Sequence, residues 1–249
     1  MKKRHPDTSV TREPARRKAP DGAQGPKAGM GARDLYEALV RAIGRVNWWP
    51  AESDFEMMVG AILVQHTAWG NVDTSLAVLR QAGLLEPVAM AEVGYDRLRA
   101  LISPSGFMKA KARTCIGLAQ WMLGRGLRRP DVGPSADRRL RESLLAVPGV
   151  GPETADVIRL YAFDQPCFIW DAYARRLLPA VGWPEWGSYE TARIQGAAFM
   201  DPAGFGLDEL KEYHGLIVEA GKCARQTGDW SFLAEGPSGF DGGTPGRPS

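Results

Sequence analysis

The chain is poor in the residues that build metal sites and disulfide frameworks. It has three cysteines and three histidines in 249 residues. Cys115, Cys167 and Cys223 stand far apart and none forms a Cys-x-x-Cys pair. That spacing argues against a disulfide framework and a zinc ribbon, and it fits a reducing, cytoplasmic setting. His5, His66 and His214 show neither metal-ligand spacing nor a Ser-His-Asp arrangement, so no metal site is expected. No apolar run reaches the ~18 residues of a spanning helix, so no membrane partner is expected. The N-terminus lacks the apolar core of a secretory signal. Alternating strand patterning is missing as well. Its nearest approach, Cys167-Phe168-Ile169-Trp170, is only four residues long. There is no internal repeat, and no dominant charge: the net is +2.

What is present is a helical core between polar ends. Residues 1–33 hold nine Lys/Arg against three Asp/Glu, a net of +6 out of +2, which leaves −4 for the rest. This stretch reads as a disordered basic tail, either solubilising or attracted to phosphates. Residues 234–249 read as a second flexible tail. Any anion-binding face must therefore be a local patch on a slightly acidic body. The 44% hydrophobic content suffices for a core, and eight Trp is a high count, enough for some to serve a ligand. Leu35, Leu39, Val40 and Ile43 form one apolar stripe. Ser53-Asp54-Phe55-Glu56 is a capping box opening a helix that carries Phe55, Met58, Val59, Ile62 and Leu63. Further helices are expected near 71–82, 95–102, 109–125, 137–146, 153–163, 172–180, 188–200 and 207–225. The expected fold class is all-α.

The most informative segment is Leu145-Ala146-Val147-Pro148-Gly149-Val150-Gly151-Pro152-Glu153-Thr154-Ala155-Asp156. It reads as a hairpin between two helices. Gly149 and Gly151 permit positive φ and close backbone approach, and Pro152 suits the first turn of a new helix. Free N–H groups at that helix start, on the positive dipole end, make an anion site fit for a nucleic-acid phosphate. The bland alternative is a helix C-cap followed by a Pro-started helix. Downstream, Phe168-Ile169-Trp170-Asp171-Ala172-Tyr173-Ala174-Arg175-Arg176 supplies a carboxylate.

Three more segments precede the hairpin: Asn47-Trp48-Trp49-Pro50, Gly60-Ala61-Ile62-Leu63-Val64-Gln65-His66-Thr67-Ala68-Trp69, and Pro104-Ser105-Gly106-Phe107-Met108-Lys109-Ala110-Lys111-Ala112. In this order the four features resemble the helix-hairpin-helix DNA glycosylases of the endonuclease III superfamily, and within it the 3-methyladenine DNA glycosylase branch. The resemblance runs from about Arg45 to Arg225. It implies two helical lobes with the active-site cleft between them: residues 46–165 carrying the hairpin, and a second lobe from 34–45 and 166–233. It also implies a double-stranded DNA partner whose damaged base is flipped into the cleft, a monomer, and a nucleoid-associated place in the cytoplasm.

Residue by residue, Asp171 matches the catalytic aspartate, which would stabilise positive charge on the sugar; it also reads as a helix N-cap. Glu153 stands where bifunctional members carry a catalytic lysine. A carboxylate cannot form a Schiff base, so strand incision is not expected, and the residue belongs to the base pocket or simply favours the helix dipole. Gln65 matches the residue inserted into the gap left by the flipped nucleotide. Gly149, Val150, Gly151 and Thr154 form the hairpin's DNA contact, where a monovalent cation is a further candidate. Trp48 and Trp69 match aromatics that sandwich a base. Stacking and cation–π attraction suit a cationic alkylpurine, while core packing is the usual role of a Trp; of the adjacent Trp48 and Trp49, at least one is expected in the core. Lys109, Lys111 and Arg113 form a basic run that either meets phosphates or is a solvated helix face. Relatives with a [4Fe–4S] cluster end in four cysteines; here His214 to Cys223 matches the approach, but only Cys223 is present, so no cofactor is expected. The expected activity is monofunctional release of alkylated purines. The alternatives are an endonuclease III-type glycosylase/lyase on oxidised pyrimidines, and a noncatalytic phosphate clamp.

Overall fold

The computed structural model describes residues 29–46, 48–49, 51–127, 133–200 and 204–235. The described residues form helices joined by short turns, with no strand among them. Most of both expected tails, residues 1–28 and 236–249, lies outside the described residues, as do Asn47 and Pro50.

One group of helices surrounds α2 (Asp54–Leu63), whose residues from Phe55 to Leu63 are all buried. Ser53 caps it by accepting the Glu56 N–H, and the buried Glu56 carboxylate pairs with Arg80. Against α2 lie α3 (Trp69–Gln81), α6 (Met108–Gly124) and α8 (Pro152–Ala162). The short α4 (Pro87–Glu92) and α5 (Tyr95–Leu101) cover α6, a 3₁₀ turn at Ser103–Ser105 packs on α3, and α7 (Pro134–Leu145) packs on α8. The six-residue α4, which begins with its own proline, was not expected from periodicity; it is too short to show any.

The second group joins chain segments far apart in sequence. Helix α1 (Ala32–Ile43) packs on α11 (Leu207–Thr227) and on the short α12 (Phe232–Glu235); α9 (Ala172–Ala180) also packs on α11. Tyr213 donates to the Ala32 carbonyl at 3.0 Å, and Tyr36 bonds Glu212. The expected helix over 188–200 is α10 (Tyr189–Gln195) followed by a 3₁₀ turn at Gly196–Ala198. Helix α8 touches both groups, through α10 and α11. A buried Asp156 on α8 fixes this junction, accepting from Arg141, Arg159 and Tyr189.

Two boundaries differ from expectation. Residues 29–33, read as part of the basic tail, are ordered: the Gly29 and Met30 N–H groups bond the Val181 carbonyl, and the Trp183 indole bonds the Met30 carbonyl at 2.9 Å. Arg33 pairs with Glu209 and lies 3.9 Å over the Phe205 ring. These partners come from residues 181–209, and composition near residue 30 carries no trace of them. Likewise Ala234 and Glu235 belong to α12 rather than to the C-terminal tail.

Candidate functional site

Asp171 is placed by an aromatic plug. Phe168, Ile169 and Trp170 are all buried; Phe168 packs on Trp170 at 4.6 Å and on Tyr213 at 5.3 Å. This segment, the nearest to a strand in the sequence, is a connector without regular secondary structure. It ends on Asp171, the N-cap of α9, whose Oδ1 accepts the Ala174 N–H at 2.7 Å. The residue is 6% exposed. Its Oδ2 faces His214 Nε2 at 3.7 Å, too long for a hydrogen bond. The cap therefore holds the carboxylate rigid through one oxygen and leaves the other for chemistry.

His214 on α11 is oriented from behind. Tyr161, near the end of α8, donates to the Lys211 carbonyl at 3.0 Å and lies 2.9 Å from His214 Nδ1. Burial, with a further push from Asp171, holds the Tyr161 hydroxyl far above its ordinary pKa, so it keeps its proton. With that one proton on the Lys211 carbonyl, the hydroxyl oxygen accepts Nδ1–H from His214. In the neutral ring Nε2 is then the bare nitrogen facing Asp171.

An aromatic wall runs beside this carboxylate. Trp69 opens α3 and meets Trp49 edge-on at 5.3 Å. Trp49 meets Tyr161 at 5.6 Å, Tyr161 meets His214 at 5.7 Å, and His214 meets Trp48 at 6.3 Å. Trp48 seats on Gly215, where a Cβ would come within 2.7 Å of the Trp48 Cβ. Its indole N–H is buried without a partner among the described residues, and Lys222 Nζ lies 5.4 Å from its ring. So Trp48 and Trp69 stand at the two ends of this contact chain, and Trp49, Tyr161 and His214 fill the middle. Sequence reading left open which of Trp48 and Trp49 faces the pocket and missed Tyr161; His214 carried no signal, because its partner is 43 residues away.

Glu153 lies in the first turn of α8 and is exposed. Crowding by protein, then the Asp171 carboxylate, pushes its carboxyl above the usual 4.5, against the opposing pull of His214 and Arg175. The folded state thus holds a proton that the unfolded chain releases. The corresponding stability is present below the ordinary value and is lost as pH rises through the raised one. Glu153→Gln is expected to flatten this fall, measured by urea unfolding at several pH values above 4.5. An unchanged slope would show that Glu153 is not the group responsible.

The hairpin is built as the glycines suggested at one position only. Gly149 has φ +91°, and a Cβ there would lie 2.0 Å from Thr114 Oγ1 on α6. Gly151 is extended, with φ −90° and ψ 174°, and a Cβ there would meet nothing within 4 Å. Expected positive φ at Gly151 is therefore corrected: its part is to cap α8 with an unobstructed backbone. Val150 is buried, and its N–H is spent on the Val147 carbonyl at 3.0 Å. The first intrahelical bond of α8 is Ala155 N–H to Gly151 C=O, so the N–H groups of Gly151, Glu153 and Thr154 precede the ladder and are open to an anion.

Gln65 sits beside this anion site, donating from Nε2 to Thr154 Oγ1 at 2.8 Å. His66, with φ +55°, and Phe107, with φ +46°, bring their rings to 5.9 Å between centroids, tilted by 57°. Phe107 is 66% exposed, and nothing in the sequence distinguished it from a core aromatic. Lys109 is exposed on the same helix start. Lys111 is not: it is 4% exposed, and its ammonium bonds the Leu63 carbonyl at 2.8 Å and the Ser105 carbonyl at 2.6 Å. Burial lowers its pKa. The expected phosphate contact at Lys111 is replaced by an internal brace.

Hairpin, capped aspartate and aromatic wall converge on α8 and α9. Residues 59–197 match the HhH-GPD superfamily of base excision DNA repair proteins. An inferred DNA repair glycosylase of Methanocaldococcus jannaschii is 37% identical over 188 residues, 74% of this chain and 84% of that protein.

The chain belongs to the HhH-GPD superfamily.

It is a DNA repair glycosylase of this type. Among solved structures, an H. pylori 3-methyladenine DNA glycosylase bound to 1,N6-ethenoadenine matches with a TM-score of 0.62 at 27% identity, over 78% of this chain and 98% of that one. A trapped endonuclease III–DNA covalent intermediate matches with a TM-score of 0.61 at 18% identity, over 75% and 82%, a likeness of fold. Endonuclease III of Thermotoga maritima is 27% identical over 154 residues, 60% of this chain and 67% of that protein. Among the described residues, this HhH-GPD protein has no helix long and apolar enough to cross a membrane.

Proposed function

We propose that this HhH-GPD protein is a monofunctional DNA glycosylase that hydrolyses the N-glycosidic bond of alkylated purines in duplex DNA. The observation that carries the reading is the pairing of a rigid, half-free Asp171 carboxylate with an aromatic wall and a second carboxylate, Glu153. Two acidic groups beside ring faces suit a cationic base. The C1′–N bond breaks with its electron pair leaving on the base. Positive charge then develops on the sugar, where Asp171 Oδ2 stabilises it. Water adds to C1′, and its proton passes to the carboxylate or to solvent. The hairpin N–H groups hold a backbone phosphate and position the duplex without reading sequence. Gln65 and the exposed Phe107 fill the gap left by the flipped nucleotide, the apolar ring supplying a wedge.

Glu153 supports monofunctional chemistry, because it offers no amine to the opened sugar. The cysteines do not fit a four-thiolate cluster. Cys223 is buried with its thiol raised by that burial, and the thiols of buried Cys115 and half-buried Cys167 are pushed up to about 12. The 3-methyladenine glycosylase likeness supports the purine class.

The test is base release from duplexes carrying a cationic 3-methyladenine or a neutral oxidised pyrimidine, with borohydride trapping in parallel. The purine is expected to leave faster, the product strand to remain intact, and no enzyme–DNA adduct to form. The same preparation should hold no stoichiometric iron. Faster pyrimidine release with efficient trapping would replace this reading with an endonuclease III-type activity.

A further inference from the structure

We propose that Lys111 is a positioning residue that sets the gap-filling edge, tying the Gln65–His66 loop to the Phe107 loop from inside. The inference rests on the reading of Gln65 and Phe107 given above. Lys111 is almost wholly buried, and its ammonium bonds two carbonyls from separate segments, Leu63 at 2.8 Å and Ser105 at 2.6 Å. It also lies 6.0 Å from the centre of the Phe107 ring.

Each contact has a mechanical meaning. Leu63 is the last residue of α2, where carbonyls lose their intrahelical partners. Two residues on, Gln65 bonds Thr154, and His66 turns into left-handed backbone. Ser105 closes the 3₁₀ turn, and two residues on, Phe107 turns left-handed as well. Bulky residues adopt this backbone at a cost, and it persists where the surroundings over-determine it. Two carbonyl dipoles aimed at one interior point repel each other, and a single ammonium with three donors satisfies both. The ammonium thereby fixes the spacing of two loops whose tips, His66 and Phe107, touch each other at 5.9 Å. An apolar side chain of the same length would leave both carbonyls unpaired and the loops free to separate.

A brace that served folding alone would act equally on every substrate. A brace that sets the gap-filling edge acts only where a base must be extracted from a stack. The experiment compares Lys111→Met with wild type on one alkylated purine held either in a matched duplex or in a bulge, where it is already extrahelical. Lys111→Met is expected to slow duplex release by about tenfold or more, while release from the bulge stays within about threefold. Phe107→Ala and the double variant complete a cycle on the duplex, and the double variant is expected to be no slower than Phe107→Ala alone.

Gap filling is followed independently by fluorescence of 2-aminopurine opposite an abasic-site analogue. That signal needs no excision, so it separates failure of this inference from failure of the alkylpurine assignment. Wild type should show the fluorescence change and Lys111→Met should lose most of it. Equal slowing on duplex and bulge, or additive effects in the cycle, would overturn the proposal. If Lys111→Met does not fold, Lys111→Gln, which keeps a donor for one carbonyl, is measured in its place, with the same pattern expected at smaller amplitude.

Discussion

Asp171→Asn is expected to keep DNA binding and to lose base release by on the order of a hundredfold or more. The substitution is nearly isosteric, and asparagine caps helices as well as aspartate does. The Ala174 N–H bond that fixes Oδ1 at 2.7 Å therefore survives, and with it the start of α9. What disappears is the negative charge of Oδ2, the oxygen not used by the cap. Single-turnover base release and a gel shift on an abasic-analogue duplex read the two properties separately. Release within a few-fold of wild type would remove Asp171 from the chemistry. Loss of binding together with release would make it a structural residue.

The second large effect is expected in the hairpin, and it should be asymmetric. Gly149→Ala forces a side chain onto φ +91° and drives its Cβ to 2.0 Å from Thr114 Oγ1. Strained backbone of this kind costs about 1–3 kcal/mol, and overpacking adds about 1–3 kcal/mol. Gly151→Ala meets open space in an extended backbone and is expected to stay within about 0.5 kcal/mol of wild type. Thermal unfolding measures the contrast. Thr114→Ala in the Gly149→Ala background should recover the overpacking share and leave the backbone share. Duplex affinity should fall for Gly149→Ala on all sequences alike, since a phosphate contact carries no sequence information. Equal destabilisation at both glycines would mean that the α6 contact does not hold the turn.

The helices were legible because their punctuation is local. Ser53, Asp171 and Ser188 each cap a helix by accepting an N–H three residues on, and Pro152 opens α8. The hairpin and the aspartate were legible for the same reason. The rest of the site was not, because it is made by pairs distant in sequence: Tyr161 with His214, Trp49 with Trp69, Lys111 with Leu63. Lys111 is instructive. It stands two residues from Lys109 on one helix, so the two point to nearly opposite faces; a run of charge in sequence is not a patch in space. Gly151 teaches the converse, since a glycine in a turn need not be there for its φ.

The pairing of α1 with α11 has a consequence for the order of events at synthesis. Arg33 and Tyr36 each wait for a partner 176 residues further on, Glu209 and Glu212. At about 5–20 residues per second, that delay is roughly ten to thirty-five seconds. Throughout it, Leu35, Tyr36 and Leu39, all buried in the finished protein, have no surface to cover them. Helix α1 is thus made well before the surface it docks on, and the nascent chain carries its apolar stripe uncovered while the intervening 176 residues are synthesised.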